Sequence, residues 1–502
     1  MSESGVQYIR RPVAPLALSQ VCTAVDLPGL AGVVTGVTLD SRAVIPGDLY
    51  AALPGEKTHG ARFAAQAVGS GAAAVLTDPA GSDLAGRLSV PTLVVADPRA
   101  VLGEVSALVY GHPARRLQTF AVTGTNGKTT VTYMLAAALR ALGVPTGLIG
   151  TTGTWVGNDR LATVRTTPEA PDVQAILALM VDSGLRAVAM EVSSHALVLR
   201  RVDGIRFDIS AFTNLSPDHL DFHAGMEDYF AAKAGLFTPA RSGRAVINVD
   251  DDWGRRLASQ LDIPHLTYGF AGADWTPETV VSDAEGSHFT AVHAGSAYPV
   301  HVGSPGRFNV VNSLAALAML AEAGFPSRDA AEALATFRGV PGRMQVVRAT
   351  DPEDRLPVVI VDYAHTPDAV EGALTTVRPL TQGKIWCVLG CGGDRDASKR
   401  PAMGRIAAQL SDRVIVTDDN PRSEDAARIR ASVLGGARQV PGADPREIGD
   451  RHEAIRVAVH GAVAGDTVMV LGKGHETGQE VGCRVLDFDD RVVARDALDT
   501  HP

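Results

Sequence analysis

One stretch limits what this chain can become more than any other: QTFAVTGTNGKTTVTYMLAAALRAL, residues 118–142. A β-branched run passes through a glycine-containing turn into Lys-Thr-Thr and an Ala/Leu-rich helix, the strand–loop–helix context of a phosphate loop. Backbone N–H groups and the helix N-terminus would hold phosphate oxygens, Lys128 would neutralise them, and the Thr129 hydroxyl would meet Mg²⁺. The usual loop carries its first glycine five positions before the Gly that precedes the lysine. Here that position is Val122, and only Gly124 and Gly127 are present. The spacing therefore predicts a shorter nucleotide-binding loop, with Gly124, Thr125, Asn126, Gly127, Lys128, Thr129 and Thr130 as its contacts.

A chain of 502 residues exceeds one compact core and implies about three domains of roughly 100 to 200 residues. With 45% apolar and 20% charged residues it reads as ordinary globular protein. A net charge of −10 and 5% aromatic content speak against a nucleic-acid partner, which needs basic patches and stacking faces. No apolar run approaches the roughly 20 residues of a membrane span. The start, MSESGVQYIRRPVAPLALSQ, pairs Arg10 with Arg11, but prolines and polar residues interrupt the apolar stretch behind them, unlike an export signal. Cys22, Cys387, Cys391 and Cys483 form no metal-type pair and read as reduced thiols of a cytoplasmic protein. Only six lysines stand against forty arginines. Lysine is then expected where a compact or deprotonable amine is needed, the alternative at each site being chance retention.

Short β-branched runs alternate with helical stretches in three α/β blocks, placed at 1–115, 116–342 and 343–502. In the third block, VVIVDYAHTPDA, IWCVLGCGGDRD, RVIVTDDNPR and TVMVLGKGHET each pass from strand to polar cluster. Ligands of open parallel sheets sit beyond the carboxyl ends of the strands, so these clusters should converge on one crevice.

A triphosphate needs a metal, and acidic or imidazole ligands should come from other strand ends of the middle block. MEVSSH offers Glu191 and TNLSPDHLDFH offers His219; for His219 the competing reading is a cap or core histidine. Lys233, in MEDYFAAKAGLF, is either a surface helix lysine or an amine that reacts with CO₂ to give a carbamate oxygen ligand, which Arg cannot do.

In this order TGTNGKTT, EVSSH, TNLSPDHLDFH, RFNVVNSLAA and VDYAHTPDA resemble the Mur ligases, the ATP-dependent amide-forming enzymes of peptidoglycan precursor synthesis, over essentially the whole chain. The resemblance implies an N-terminal UDP-binding α/β domain, a central P-loop-type ATPase α/β domain and a C-terminal Rossmann-like α/β domain. It implies binding of ATP and two Mg²⁺, with Thr129, Glu191, His219 and a carbamylated Lys233 as metal ligands, Lys128, Lys233, His219 and Glu191 as the catalytic set, and Asn309 and Arg343 at the nucleotide. Leu39, Ser41, Lys57, Thr58, Thr166, Thr167, Ser193 and Arg201 match the UDP-sugar-peptide contacts. Arg165 and Leu199 depart from residues common in that contact region. Within the family the chain is most similar to members that join meso-diaminopimelate to the D-Glu γ-carboxylate of UDP-N-acetylmuramoyl-L-Ala-D-Glu through an acyl phosphate. DDNPR sets Arg422 on a Pro-fixed turn, where a guanidinium fork suits the far carboxylate of diaminopimelate, a group L-lysine lacks. Arg395, Asp419, Asn420, Pro421, Gly472 and Glu476 match the remaining contacts.

Two rival readings make different demands. A folylpolyglutamate-type ligase would carry neither the first block nor DNPR, and a silent nucleotide-binding scaffold would have lost the reactive lysines. The expected protein is a cytoplasmic monomer without nucleic-acid or membrane partners, whose third block closes onto the second.

Overall fold

The computed structural model describes residues 11–55, 57–161, 165–283, 286–351 and 356–502. Of the paired arginines at the start, Arg10 lies outside these residues. Three α/β domains follow one another along the chain, each built on its own sheet.

The first sheet has four parallel strands in chain order, Gly36–Thr38, Asp48–Ala51, Ala74–Thr77 and Thr92–Val94. Its helices Pro79–Ala85 and Pro98–Val109 start with Asp78 and Asp97 accepting backbone N–H bonds ahead of a first-turn proline, the favoured order of cap and Pro. Gly103 on the second of these approaches the middle domain so closely that a Cβ would sit 2.3 Å from the Asp203 carbonyl. No larger residue fits that contact.

The middle sheet has eleven strands. Its parallel centre places Gln118–Thr123 between Ala187–Glu191 and Phe207–Phe212, with Thr146–Gly150, Ser242–Asn248 and His265–Tyr268 outside them. Antiparallel strands finish both edges. Glu191 pairs with Val122 and Phe212 with Thr123, so the phosphate loop, Glu191 and the Thr213–His219 loop emerge at one level. The central strands are buried on both faces, which is why they read as continuous apolar runs.

In the C-terminal sheet, Thr467–Leu471 lies between Val358–Asp362 and Ile385–Leu389, followed by Arg413–Val416. Asp362, Leu389, Val416 and Leu471 end in register. Behind them Arg451 and Asp490, both fully buried, form a two-bond pair at 2.7 Å. Arg451 also donates to the carbonyls of Leu471 at 3.0 Å and Asp418 at 3.3 Å, fixing two strand ends that carry the polar clusters. Breaking a buried pair leaves an uncompensated charge. Asp490→Ala should therefore destabilise the C-terminal domain by about 3–5 kcal/mol, measured as a shift in its urea transition.

Candidate active site

The phosphate loop is folded onto the strand end beside it. Thr125 N–H donates to the Asn214 carbonyl at 2.9 Å and Asn126 N–H to Asn214 Oδ1 at 2.9 Å. Gly124, at φ +144, lies so near Thr213 that a Cβ would be 1.9 Å from its hydroxyl. Helix Lys128–Ala141 begins at Gly127 without a side-chain cap, so its first N–H groups remain for an anion. Lys128 Nζ donates to the Gly124 and Thr125 carbonyls, both at 2.9 Å. Lys233, the buried end of helix Met226–Ala234, donates to that same Gly124 carbonyl at 2.7 Å and lies 4.6 Å from the Tyr229 ring centre. Burial, then the Lys128 charge, pushes the Lys233 pKa well below that of an ordinary lysine, opposed by Asp218. Burial lowers Lys128 too.

Thr129 donates to Glu191 Oε2 at 3.0 Å, and Glu191, fully buried, also accepts from the Thr151 N–H at 2.8 Å and hydroxyl at 3.0 Å. Arg343 reaches Thr129 Oγ1 at 3.4 Å and lies over the Tyr363 ring. A hydroxyl and a carboxylate beside the phosphate cradle are the hard oxygen donors Mg²⁺ prefers. His219, at φ +56, pairs with Asp218 at 3.5 Å and meets the His195 ring edge-on at 4.9 Å.

Asp218 is one residue of the candidate site that sequence reading passed over. It is buried in the middle domain, yet takes Lys399 at 3.3 Å and His365 at 3.7 Å from the C-terminal domain. Burial would raise its pKa, but the bond to His365 and the His365, His219 and Lys399 charges outweigh that and hold it well below the carboxylate range. Its signal was its place beside His219 in SPDH. Asn312 was also missed: one helical turn beyond Asn309, it lies 2.5 Å from where a Cβ on Gly127 would be.

A cleft of about 660 Å³ runs from Asn126, Gly127 and Thr130 past Asn309, Asn312 and Arg343 to Asp368 and Thr376 of the C-terminal domain. Another, of about 770 Å³, lies between the first and middle domains. Leu39, Ser41 and Thr58 line it together with Arg99, Arg165 and Glu169, whereas Lys57 is exposed beside it and is not among its lining residues. The other expected UDP-side residues carry internal bonds. Thr166 accepts from Thr151 at 3.1 Å, Thr167 donates to the Glu191 carbonyl at 2.9 Å, Ser193 caps helix Ser194–Val198, and Arg201 pairs with Glu169 at 2.9 Å. The Leu199 carbonyl accepts from Arg99 at 3.0 Å.

At the C-terminal strand ends Asn420 donates to Glu476 at 2.8 Å and accepts from the buried Lys473 at 2.8 Å; Lys473 also reaches Glu476 at 3.0 Å. Asp419 is buried where a Cβ on Gly472 would be 2.4 Å from its carboxylate. Pro421 is buried, and Arg422 lies alongside Glu480. Arg395 is exposed, bonding only the Asp394 carbonyl among the described residues.

Sequence comparison gives this geometry its relatives. The Mur ligase family catalytic domain matches residues 33–110, the Mur ligase middle domain 122–320, and the Mur ligase glutamate ligase domain 342–474. The chain belongs to the Mur ligase family. It is 50% identical over 497 residues to the UDP-N-acetylmuramoyl-L-alanyl-D-glutamate–2,6-diaminopimelate ligase of Streptomyces coelicolor, covering 98% of this chain and 97% of that one. A solved structure of a ligase of that name is 33% identical, with a TM-score of 0.68, covering 97% of this chain and 99% of that one. The Mur ligase MurF of Thermotoga maritima, solved with ADP, shares the fold at 17% identity and a TM-score of 0.63, covering 92% and 96%. Among the described residues, no helix of this Mur ligase is long and apolar enough to cross a membrane.

The histidines beside the loop make a pH prediction. Burial, and then His223, holds His195 at about 4; burial, despite Asp218, holds His219 at about 3. The unfolded chain takes up these protons near pH 6.5, about 2.5 to 3.5 units before the folded protein does. Stability should therefore be unaffected above about pH 6.5 and fall as pH drops below it. Melting temperatures of the ligand-free protein between neutral and mildly acidic pH check this, and His195→Gln should flatten the slope.

Proposed function

We propose that this Mur ligase is an ATP-dependent, ADP-forming ligase that adds meso-diaminopimelate to the D-Glu γ-carboxylate of UDP-N-acetylmuramoyl-L-alanyl-D-glutamate, a step of peptidoglycan precursor synthesis in the cytoplasm. The observation that carries the reading is the pair of buried lysine amines, Lys128 and Lys233, on the Gly124 carbonyl beside the phosphate loop, an arrangement short of negative charge. Residues 1–115 would hold the UDP-sugar, 116–342 the ATP, and 343–502 the amino acid, with the protein acting as a monomer.

The γ-carboxylate oxygen attacks the γ-phosphorus of ATP, ADP leaves, and the product is an acyl phosphate. The diaminopimelate amine then attacks the acyl carbon, loses a proton and expels phosphate. Little covalent work falls to the protein; positioning and charge neutralisation dominate such transfers. Lys128 and the helix N-terminus neutralise the phosphates, Asn126, Asn309, Asn312 and Arg343 hold the nucleotide in the 660 Å³ cleft, and Thr129 fixes Glu191. Mg²⁺, held by Thr129, Glu191 and His219 with a carbamate on Lys233, would supply further charge neutralisation. The neutral amine that burial favours at Lys233 is the form that adds CO₂.

For the acceptor, Glu476 has one carboxylate oxygen engaged with Asn420 and Lys473, leaving the other for the distal ammonium. Arg422 takes the distal carboxylate. Lysine would leave that guanidinium unmatched.

Phosphate release with ATP, Mg²⁺ and UDP-N-acetylmuramoyl-L-Ala-D-Glu should be strong with meso-diaminopimelate and weak with L-lysine; release with neither would refute the reading. Lys128→Ala should lower kcat by about 10²–10³, the range for removing one charge-stabilising donor. Isotope-labelled bicarbonate should give a carbamate carbon signal in the native protein that is absent from Lys233→Arg, whose fold is checked by its melting temperature.

A further inference from the structure

Arg422 has part of its guanidinium committed before any acceptor arrives. Its Nε donates to Glu480 Oε2 at 2.8 Å and its Nη1 to the Gly393 carbonyl at 2.8 Å. Among the described residues no hydrogen bond takes Nη2. Glu480 is placed there by its main chain, not by its side chain alone. Its N–H donates to Asn420 Oδ1 at 3.0 Å, and its carbonyl accepts the Arg422 N–H at 3.0 Å. On the far side of the same hairpin, Gly482 N–H donates to the Arg422 carbonyl at 2.8 Å. The hairpin Gly478–Val481 and Arg484–Asp487 thus runs along the acceptor loop like an added strand, with Arg422 bridging Val481.

We infer that Glu480 is a specificity-setting positioning residue: by clamping Nε while Gly393 clamps Nη1, it presents the outer Nη1–Nη2 edge of Arg422 to the far carboxylate of the acceptor. This rests on the acceptor reading above and adds a residue to it. Two features favour a clamp over a competitor for the same place. Glu480 takes a single nitrogen, so the Nη2 donors and one Nη1 donor stay open to a second carboxylate. Its carboxylate is also half exposed, where water screens its repulsion of an arriving anion. The clamp matters because Arg422 has another acid within electrostatic reach. Asp394 feels its charge and is held by Ser423, the next residue along the chain. A guanidinium released from Glu480 can turn toward Asp394, and fixing it again on binding costs affinity.

The test is steady-state phosphate release at varied meso-diaminopimelate by Glu480→Ala, Glu480→Gln, Arg422→Ala and the Glu480→Ala/Arg422→Ala double variant. Loss of one charge-assisted bond predicts that Glu480→Ala raises KM for diaminopimelate about tenfold. The kcat, and the KM values for ATP and for the UDP-linked acid, should not move. The amide oxygen of Glu480→Gln still accepts from Nε, so that variant should stay within about twofold of wild type. In the double variant, loss of Glu480 should add nothing to loss of Arg422, because it acts through that arginine. If Arg422→Ala leaves the diaminopimelate KM unchanged, the acceptor reading fails and this inference with it. If Arg422→Ala raises that KM while Glu480→Ala leaves it unchanged or lowers it, the clamp alone is overturned. Equal losses in Glu480→Gln and Glu480→Ala would also overturn it.

Discussion

Two lysine amines rest on one carbonyl oxygen, that of Gly124, in a buried pocket. Charged, each would bear a desolvation penalty and together they would repel strongly where water cannot screen them, and this is what pushes the Lys233 pKa down. Glu191 and Asp218 offset Lys128 from nearby, and Asp218 offsets Lys233. The arrangement is a well of positive potential at a strand end, stable in proportion to the negative charge that enters it. Phosphate oxygens satisfy it from solution, and converting Lys233 to an anion would satisfy it from within. Gly124 must have no side chain because Thr213 occupies the space a Cβ would need. Arginine could not replace Lys233, since its larger, permanently charged fork would have to be housed where a single nitrogen fits.

Asp218 extends this charge problem across the domain boundary. A carboxylate alone at that depth would prefer its proton, yet the groups facing it keep it ionised. Two of them, Lys399 and His365, belong to the C-terminal domain. The electrostatics of the middle domain are therefore complete only with its neighbour in place. Arg343, at the junction, touches Thr129 on one side and Tyr363 on the other, so it couples the same two bodies through the Thr129 hydroxyl. Closure in such a molecule assembles charges as well as excluding water.

How much of this was legible in the sequence depends on the division between local and distant causes. The strand–loop–helix at 118–142 is a local pattern, and so are the four third-block runs whose ends the register aligns. The bias toward arginine drew attention to Lys233, which the structure buries against the phosphate loop. Asp218 carried no comparable signal: Lys399 stands 181 positions away. Thr167, Ser193 and Arg201 were assigned to substrate by resemblance, and the pattern that marks them cannot say that their polar atoms already bond the chain itself. Lys57 shows the converse, a motif neighbour of Thr58 that falls outside the cleft lining.

The nucleotide and acceptor sites solve opposite problems, and their polar groups are spent accordingly. Near ATP the aim is unbalanced charge, so the lysines are paired with neutral carbonyls. At the loops proposed to receive the acceptor the task would be discrimination between two diamino acids that differ by one carboxylate, and several charges there are cancelled in place. Lys473 is balanced by Glu476, Arg400 holds Glu424 through both carboxylate oxygens, and Arg451 is closed by Asp490. Arg422 stands apart because its partners leave guanidinium donors unspent. On the proposed acceptor reading, a neutralised surround would make that one edge the dominant electrostatic difference between ligands: the guanidinium would be matched by a ligand with a far carboxylate and left desolvated, facing an ammonium, by one without. Selectivity of this kind depends less on the strength of the arginine's charge than on how firmly its direction is held.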